Sequence, residues 1–172
     1  WVPEIWEEAA PWANTRFRAV WAESTTKIFV GGDNGTIIHY NGESWVQQTT
    51  PHSGTVYDLF GISTTNVFAA TSQDILRFTE GWTPMPSTSG DHRSVFLDVQ
   101  VQPAQGAVVG NNGSVFVFDQ LSLGFLPVSQ PKEFFGNAEL VGVRGGTGSP
   151  LGGRPWVVSR DGRFAFQDDI KW

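Results

Sequence analysis

A block of about 40 residues recurs along the chain, and this repeat limits the fold more than any other feature. The triplet Ser24–Thr26 and the apolar-Phe-apolar run behind it return at Ser63–Thr65, 39 residues later (63 minus 24). A second pattern consists of two apolar residues, then a polar turn, then an apolar-x-aromatic run. This pattern occurs four times. Its closing aromatic residues are Tyr40, Phe78, Phe118 and Phe166. Four matches in order indicate four diverged copies of one structural unit.

Each copy predicts short β-strands separated by polar turns. The predicted first strands cover 17–21, 56–60, 95–99 and 140–143, the second 27–31, 66–70, 106–109 and 155–158, the third 36–40, 75–78, 114–118 and 163–166, and the fourth 44–48, 81–84 and 125–128. Tight turns are predicted between second and third strands, because Asn, Asp and Gly tolerate positive φ. The turn pairs are Asn34-Gly35, Asn112-Gly113 and Asp161-Gly162. The second copy carries Gln73-Asp74 instead and is expected to turn differently.

These strands predict an all-β fold, a β-propeller of about four four-stranded antiparallel blades in a single domain spanning 1–172. We expect repeats at about 15–54, 55–92, 93–137 and 138–172. The fourth copy lacks a fourth strand, and residues 1–14, with Trp6 placed much as Trp45 is, would complete it and close the ring. The alternative is a fragment of a larger propeller.

Composition excludes several classes of function. The net charge is −6 with only 11 Lys and Arg in 172 residues, which argues against a nucleic-acid partner. The chain has no cysteine, so disulfides and thiolate metal sites are excluded. No run of about 18 apolar residues predicts a membrane-spanning helix. Because the chain begins at Trp1 rather than Met, we expect a processed, exported protein that is periplasmic or extracellular.

No residue pattern predicts catalysis, a cofactor or a metal. The histidines, His39, His52 and His92, lack metal-ligand spacing, and the last two are predicted in loops between blades. The acidic pairs at 7–8 and 168–169 would point to opposite faces of a strand. A Gly-x-Ser-x-Gly nucleophile motif does not occur. We therefore expect a binding protein rather than an enzyme.

Candidate partner contacts lie outside the repeat. The Gly-rich insertion at 145–153 interrupts the fourth copy, and such insertions often face a partner. Trp45 and Trp82 keep their place in the repeat and are expected to pack between blades, whereas other tryptophans fall outside it. The predicted contacts are Trp1, Trp12, Gly145, Gly146, Pro150, Leu151 and Trp172.

The segment 29–45 resembles the repeat of bacterial exported propellers, a group that includes the photosystem II assembly and stability factor and sialidase-like Asp-box repeat proteins. The Asp-box is matched in part, by Asp33, Gly35 and Thr36, without its leading Ser and trailing Trp. The resemblance covers all four copies and is closest in the first. It implies a propeller with an extracytoplasmic binding or assembly role, and it carries over no active site.

Together these observations predict a non-catalytic protein-binding subunit of a larger complex. The resemblance implies an assembly or stability factor of a membrane-associated complex, with a photosynthetic complex as one candidate. The alternative is a carbohydrate-binding propeller of lectin type, in which each blade would repeat an aromatic residue and an Asn or Asp. A hydrolase would need a convergent acidic cluster, which the sequence does not predict.

Overall fold

The computed structural model describes residues 10–86, 88–98, 105–119, 124–128, 135–145 and 156–166. These residues form strands in four antiparallel sheets. The strands are β1 (Phe17–Ser24), β2 (Lys27–Gly32), β3 (Ile37–Tyr40), β4 (Trp45–Gln48), β5 (Val56–Ser63), β6 (Asn66–Thr71), β7 (Ile75–Phe78), β8 (Trp82–Pro84), β9 (His92–Asp98), β10 (Gln105–Gly110), β11 (Val115–Asp119), β12 (Gly124–Val128), β13 (Leu140–Arg144), β14 (Trp156–Ser159) and β15 (Phe164–Phe166).

Every sheet is a meander of strands that are consecutive in the chain. The first three sheets have the orders β1–β2–β3–β4, β5–β6–β7–β8 and β9–β10–β11–β12, and the described part of the fourth is β13–β14–β15. This architecture confirms the predicted all-β propeller fold. The first strands run longer than predicted, because Ser24 pairs with Lys27 and Ser63 with Asn66 across the two-residue turns of the Ser-Thr-Thr triplets.

The turns between second and third strands follow the predicted chemistry. Asn34 and Gly35 have φ of 57° and 66°, and the Asn112-Gly113 turn repeats these values closely. In the fourth sheet the positive φ of the turn is at Gly162. The second sheet turns differently, as expected: the Thr71 hydroxyl accepts bonds from the backbone N–H groups of Gln73 and Asp74 and donates one to the Asp74 carbonyl.

One backbone hydrogen bond recurs at the same place in all four sheets. The N–H group directly after the second strand donates to the carbonyl directly before the first strand. The donor–acceptor pairs are Asp33 to Arg16 (3.1 Å), Ser72 to Thr55 (2.9 Å), Asn111 to Asp91 (3.0 Å) and Arg160 to Glu139 (2.8 Å). This bond ties the entry of each sheet to its own hairpin and establishes that the four units are structurally equivalent.

The hydrophobic core lies between successive sheets. Phe29 and Ile37 of the first sheet pack against Leu59, Leu76 and Trp82 of the second. The second sheet packs in the same way against the third, and the third against the fourth. The first strands β1, β5, β9 and β13 contact one another in turn, so they line the inner side of the stack. Trp82 therefore packs between blades, as predicted.

The closing strand predicted for the ring lies mostly outside the described residues, since residues 1–9 are not among them. Among the described strands, β13 and β1 do not pack together as the neighbouring first strands do. The described sheets thus form four consecutive blades of a propeller, an arrangement that fits the alternative of a propeller fragment.

Candidate functional site

Each inner strand carries an irregularity in its pairing at the same position. The pairing of the first strand with the second shifts by one residue between Phe17 and Ala19, and the other three sheets shift equivalently. Such a bulge leaves one residue unpaired and redirects its side chain. The bulged residues are Arg18, Tyr57, Arg93 and Val141. The fold thus presents four side chains side by side at one end of the inner strands.

Three of these side chains are in contact across the first three sheets. The guanidinium carbon of Arg93 lies 3.9 Å from the ring centroid of Tyr57, and that of Arg18 lies 5.8 Å from the same centroid. Both distances fall within the range of a cation–π interaction. We call this set the Arg18–Tyr57–Arg93 row. It places one aromatic ring between two permanent positive charges.

Carboxylates on the neighbouring turns fix the two arginines. Arg18 Nε donates to Asp33 Oδ1 at 2.6 Å, and both side chains keep about a third of their surface exposed. This bond raises the pKa of Arg18 and lowers the pKa of Asp33. Arg93 pairs with Asp91 at 2.8 Å and with Glu139 at 3.6 Å. These ion pairs therefore hold the two arginines of the row in position.

A polar network behind the row connects the inner strands of the second, third and fourth sheets. Asp58 Oδ2 accepts hydrogen bonds from Ser94 Oγ at 2.7 Å, from the Val95 N–H at 3.1 Å and from Arg144 at 3.2 Å. Ser94 Oγ also accepts a bond from Arg144 at 3.0 Å. Asp58 Oδ1 accepts a further bond from the Leu59 N–H at 3.0 Å, so this one carboxylate links the inner strands of three sheets.

Beside the row, a cleft of about 380 Å³ opens in the third sheet. It is lined by residues 89–92, 111–116 and 127–128. His92 is buried in its wall, where Nε2 bonds the Thr88 carbonyl at 2.7 Å and the ring meets Phe116 edge-on. The prediction of a loop position for His92 is wrong: it begins β9, because its place in the repeat is that of the buried Val56.

Stability is expected to fall as the pH drops below about 6.5, the ordinary pKa of histidine. Burial lowers the pKa of His92, outweighing its bond to the Thr88 carbonyl, and also lowers that of His39. The folded state therefore holds these rings neutral, whereas the unfolded chain takes up protons, which favours unfolding at lower pH. Urea unfolding at pH 7.5, 6.5 and 5.5 measures the effect.

His92→Gln should flatten this pH dependence, because glutamine keeps a donor for the Thr88 carbonyl and does not titrate. His39→Gln is the matched variant for the second ring. The carboxyl groups whose pKa is lowered, Glu23, Asp33 and Asp161, titrate below this pH window. A wild-type slope that survives in the double variant would contradict the assignment to these histidines.

The other histidines have structural roles. His39 stacks on Phe29 with ring centroids 4.2 Å apart, on the face opposite Ile38 and Tyr40, as the alternation of β3 predicts. His52 bonds Asp74 at 2.7 Å and accepts a bond from the Gly54 N–H. Across the described ranges, no group of three or more His, Cys, Asp or Glu side chains is placed to hold a metal ion.

The predicted partner contacts fall mainly outside the described residues, which exclude Trp1, Gly146, Pro150, Leu151 and Trp172. Trp12 lies half-buried in a turn before β1, and Gly145 follows the end of β13. The structure does not join these two to the Arg18–Tyr57–Arg93 row. Within the part of the chain that the structure describes, no helix is long and apolar enough to cross a membrane.

Sequence reasoning did not find the row, although the repeat contained an indication of it. Arg18 and Tyr57 are 39 residues apart (57 minus 18), the same interval as the Ser-Thr-Thr triplets. Aligning the copies on that interval places Arg18 and Tyr57 at one position of a strand whose other residues are mostly apolar. Both side chains are large, but they differ in chemistry. The bulge that turns them toward one end could not be deduced from the alternation pattern.

Comparison with solved structures identifies similar folds. The chain resembles the extracellular domain of a protein described as a hybrid two-component system from B. thetaiotaomicron, with a TM-score of 0.65 and 13% identity over 90% of this chain and 22% of that one. It also resembles YCF48 bound to D1 peptide (TM-score 0.60, 18% identity, 91% and 52%). YCF48 from Cyanidioschyzon merolae gives a TM-score of 0.57 and 12% identity, with 90% and 53% covered.

These similarities agree with the sequence resemblance at the level of the fold. No protein-family model matches the chain, and no curated protein sequence matches it. The chain spans between about a fifth and about half of the length of the structures it resembles. Together with the stacked sheets, these similarities show that the described residues form blades of a β-propeller.

Proposed function

We propose that this chain is a non-catalytic, exported propeller domain that binds a polypeptide segment through the Arg18–Tyr57–Arg93 row. The observation that carries the proposal is the row itself, since the fold places a tyrosine between two arginines at one end of the inner strands. Tyrosine and arginine are among the residue types enriched at the energetic centres of protein-binding surfaces.

The unused N–H donors of the row suit a segment that presents acceptor oxygens, such as a carboxylate. Asp33 and Asp91 engage some of the guanidinium donors, and each arginine has five N–H groups in all. Donors beyond those bonds can meet a partner carboxylate, while the tyrosine supplies apolar area. The ion pairs already hold the arginines in place, so binding costs little side-chain entropy.

The similar structures support a protein partner outside the cytoplasm. One neighbour is a YCF48 bound to a D1 peptide, and two others are extracellular domains. We extend this to a role as an interaction subunit or as an assembly or stability factor of a membrane-associated complex, with a photosynthetic complex as the specific candidate. The localisation that follows is periplasmic or extracellular.

The packing of the repeated aromatic residues supports a protein ligand over a sugar. A lectin-type propeller needs an exposed aromatic platform on each blade. Here Trp82 and Phe125, at equivalent positions in two sheets, are buried, and Trp82 packs edge-on against Phe29. Trp45 lies against Tyr40 within its own sheet. These rings stabilise blades instead of forming repeated pockets.

Replacing Tyr57 or Arg93 with alanine is expected to weaken partner binding at least 30-fold, since alanine substitution of a central contact costs about 2 kcal/mol or more. The immobilised chain first isolates stoichiometric partners from host membrane extract. Extracytoplasmic peptides of those partners are then titrated calorimetrically against wild type and variants.

Arg77→Ala is the matched control, because Arg77 also lies over an aromatic ring, that of Phe68, but outside the row. Its affinity should stay within about twofold of wild type, as expected for a residue outside the contact. A glycan array should show no saturable binding. Saturable glycan binding, or peptide affinities unchanged in both row variants, would refute the proposal.

A further inference from the structure

The chain contains three Asn-Gly pairs, Asn34-Gly35, Asn41-Gly42 and Asn112-Gly113. Each pair carries both reactants of a ring closure, since the backbone nitrogen of the glycine can attack the side-chain amide carbon of the asparagine. Glycine leaves this approach open because it has no Cβ. The three pairs are alike in sequence, but the fold places them in different environments.

The turns between second and third strands keep the two reactants apart in the first and third sheets. Asn34 has φ of 57° and ψ of 32°, and Asn112 has φ of 56° and ψ of 33°. At this ψ the nitrogen of the following glycine lies nearly opposite the asparagine Cβ across the Cα–C bond, because the substituents of Cα are arranged tetrahedrally. Ring closure needs the nitrogen and Cβ on the same side of that bond, so each turn would first have to rotate.

Packing opposes this rotation, because Gly35 and Gly113 are buried. The Gly113 N–H donates to the Ala138 carbonyl at 2.8 Å, which ties the attacking nitrogen to the connection before the fourth sheet. A Cβ built at Gly35 would meet the His52 carbonyl oxygen in the connection to the second sheet. Rotation of either turn would therefore displace the connection behind it.

The Asn41-Gly42 pair is in an exposed connection instead. It lies in the four residues, 41–44, that join β3 to β4 of the first sheet, and Asn41 is exposed. Asn41 Oδ1 accepts bonds of 2.9 Å from the N–H groups of Glu43 and Ser44, and both bonds are exposed. Such bonds can be exchanged for bonds to water at small cost. Among the described residues, none accepts a hydrogen bond from the Gly42 N–H group.

We propose that Asn41 is a site of spontaneous deamidation and isomerisation. The Gly42 nitrogen gives up its proton to water or hydroxide and bonds to Cγ of Asn41. The Cγ–Nδ2 bond breaks, and the amide nitrogen leaves as ammonia. Water then opens the cyclic imide at either of its carbonyl groups, which gives aspartate or isoaspartate at this position. This reaction does not depend on the proposed peptide binding.

Both products change the hairpin between β3 and β4. Each product adds a negative charge at position 41, and isoaspartate also lengthens the backbone between Tyr40 and Trp45, which are paired directly across the hairpin. The Tyr40 ring lies against that of Trp45, with centroids 5.2 Å apart, and its hydroxyl donates to the Gly42 carbonyl at 3.0 Å. The isoaspartate form should therefore hold β4 less firmly on its sheet.

Peptide mapping by mass spectrometry of the full 172-residue chain tests the proposal. The chain is incubated folded and in concentrated urea, at pH 7 and at pH 8. In the folded chain Asn41 should convert about tenfold faster than Asn34 and Asn112 or more, whereas in urea the three rates should agree within about threefold. The rate at Asn41 should rise with pH, because the attacking nitrogen must lose its proton. An Asn41 that converts as slowly as Asn112 in the folded chain would overturn the proposal.

Asn41→Gln is the variant that tests the assignment, because glutamine keeps a side-chain amide but would have to close a larger ring. Ion-exchange chromatography of the aged wild-type chain should show a growing acidic fraction. The variant should lose most of that fraction, and circular dichroism establishes that it is folded. An acidic fraction that grows equally fast in Asn41→Gln would refute the assignment to Asn41.

Discussion

Replacing Phe29 with alanine is expected to lower the free energy of unfolding by about 3–5 kcal/mol. The side chain is 0% exposed and fills the space between the first two sheets, with its ring centroid 5.3 Å from that of Phe78 and 6.0 Å from that of Trp82. Its loss removes apolar contacts on both sheets and leaves a cavity that the stacked sheets cannot close. Urea denaturation followed by tryptophan fluorescence measures the change.

Val46→Ala is the control for this prediction, because Val46 lies in β4 of the same sheet and is 46% exposed. Its effect should stay below about 1 kcal/mol, as expected for partial loss of one exposed side chain. If Phe29→Ala cost no more than Val46→Ala, the packing of the first sheet on the second would not be a main source of stability.

Gly35→Ala is expected to cost about 2–4 kcal/mol, since it adds a steric conflict to the strain of a left-handed residue. Gly35 has φ of 66°, and a Cβ there would meet the His52 carbonyl oxygen in the connection to the next sheet. The Gly35 carbonyl also accepts a hydrogen bond of 2.9 Å from Thr50 Oγ1. The turn and the connection behind it would therefore have to move together.

Two other glycines separate the contributions to this cost. Gly162 has φ of 88° but nothing within 4 Å of its Cβ position, so Gly162→Ala should show the backbone strain alone, about 1–2 kcal/mol. Gly81 has neither feature, and Gly81→Ala should be close to neutral. Thermal and urea unfolding of the three variants should rank them in this order. Equal losses at Gly35 and Gly162 would contradict the predicted clash.

The strands and turns could be predicted from sequence because their causes are local. Alternating apolar residues define the strands, and Asn34-Gly35 supplies two residues that accept positive φ. The repetition then predicted that the sheets stack, because a sheet with two apolar faces needs a neighbouring sheet against each of them. The Gly-rich insertion at 145–153 was also recognised in the sequence, but its residues do not predict its conformation.

The candidate site could not be predicted in the same way, because it depends on register between strands. The bulge at Tyr57 gives β5 one more residue than its partner β6 over the same stretch. The pairing of the two strands is needed to identify which residue is the extra one. The burial of His92 depends similarly on Phe116, which lies 24 residues further along the chain (116 minus 92). Long-range pairing of this kind leaves no periodic trace in a single sequence.

The meander order of the sheets has a consequence for how a chain of this kind changes length during evolution. Every described strand pairs with strands that adjoin it in the chain, so each of the first three units completes its own sheet without strands from its neighbours. Coupling between units then comes mainly through side chains at their shared faces, as in a one-dimensional array. Such a chain is expected to gain or lose length by whole modules.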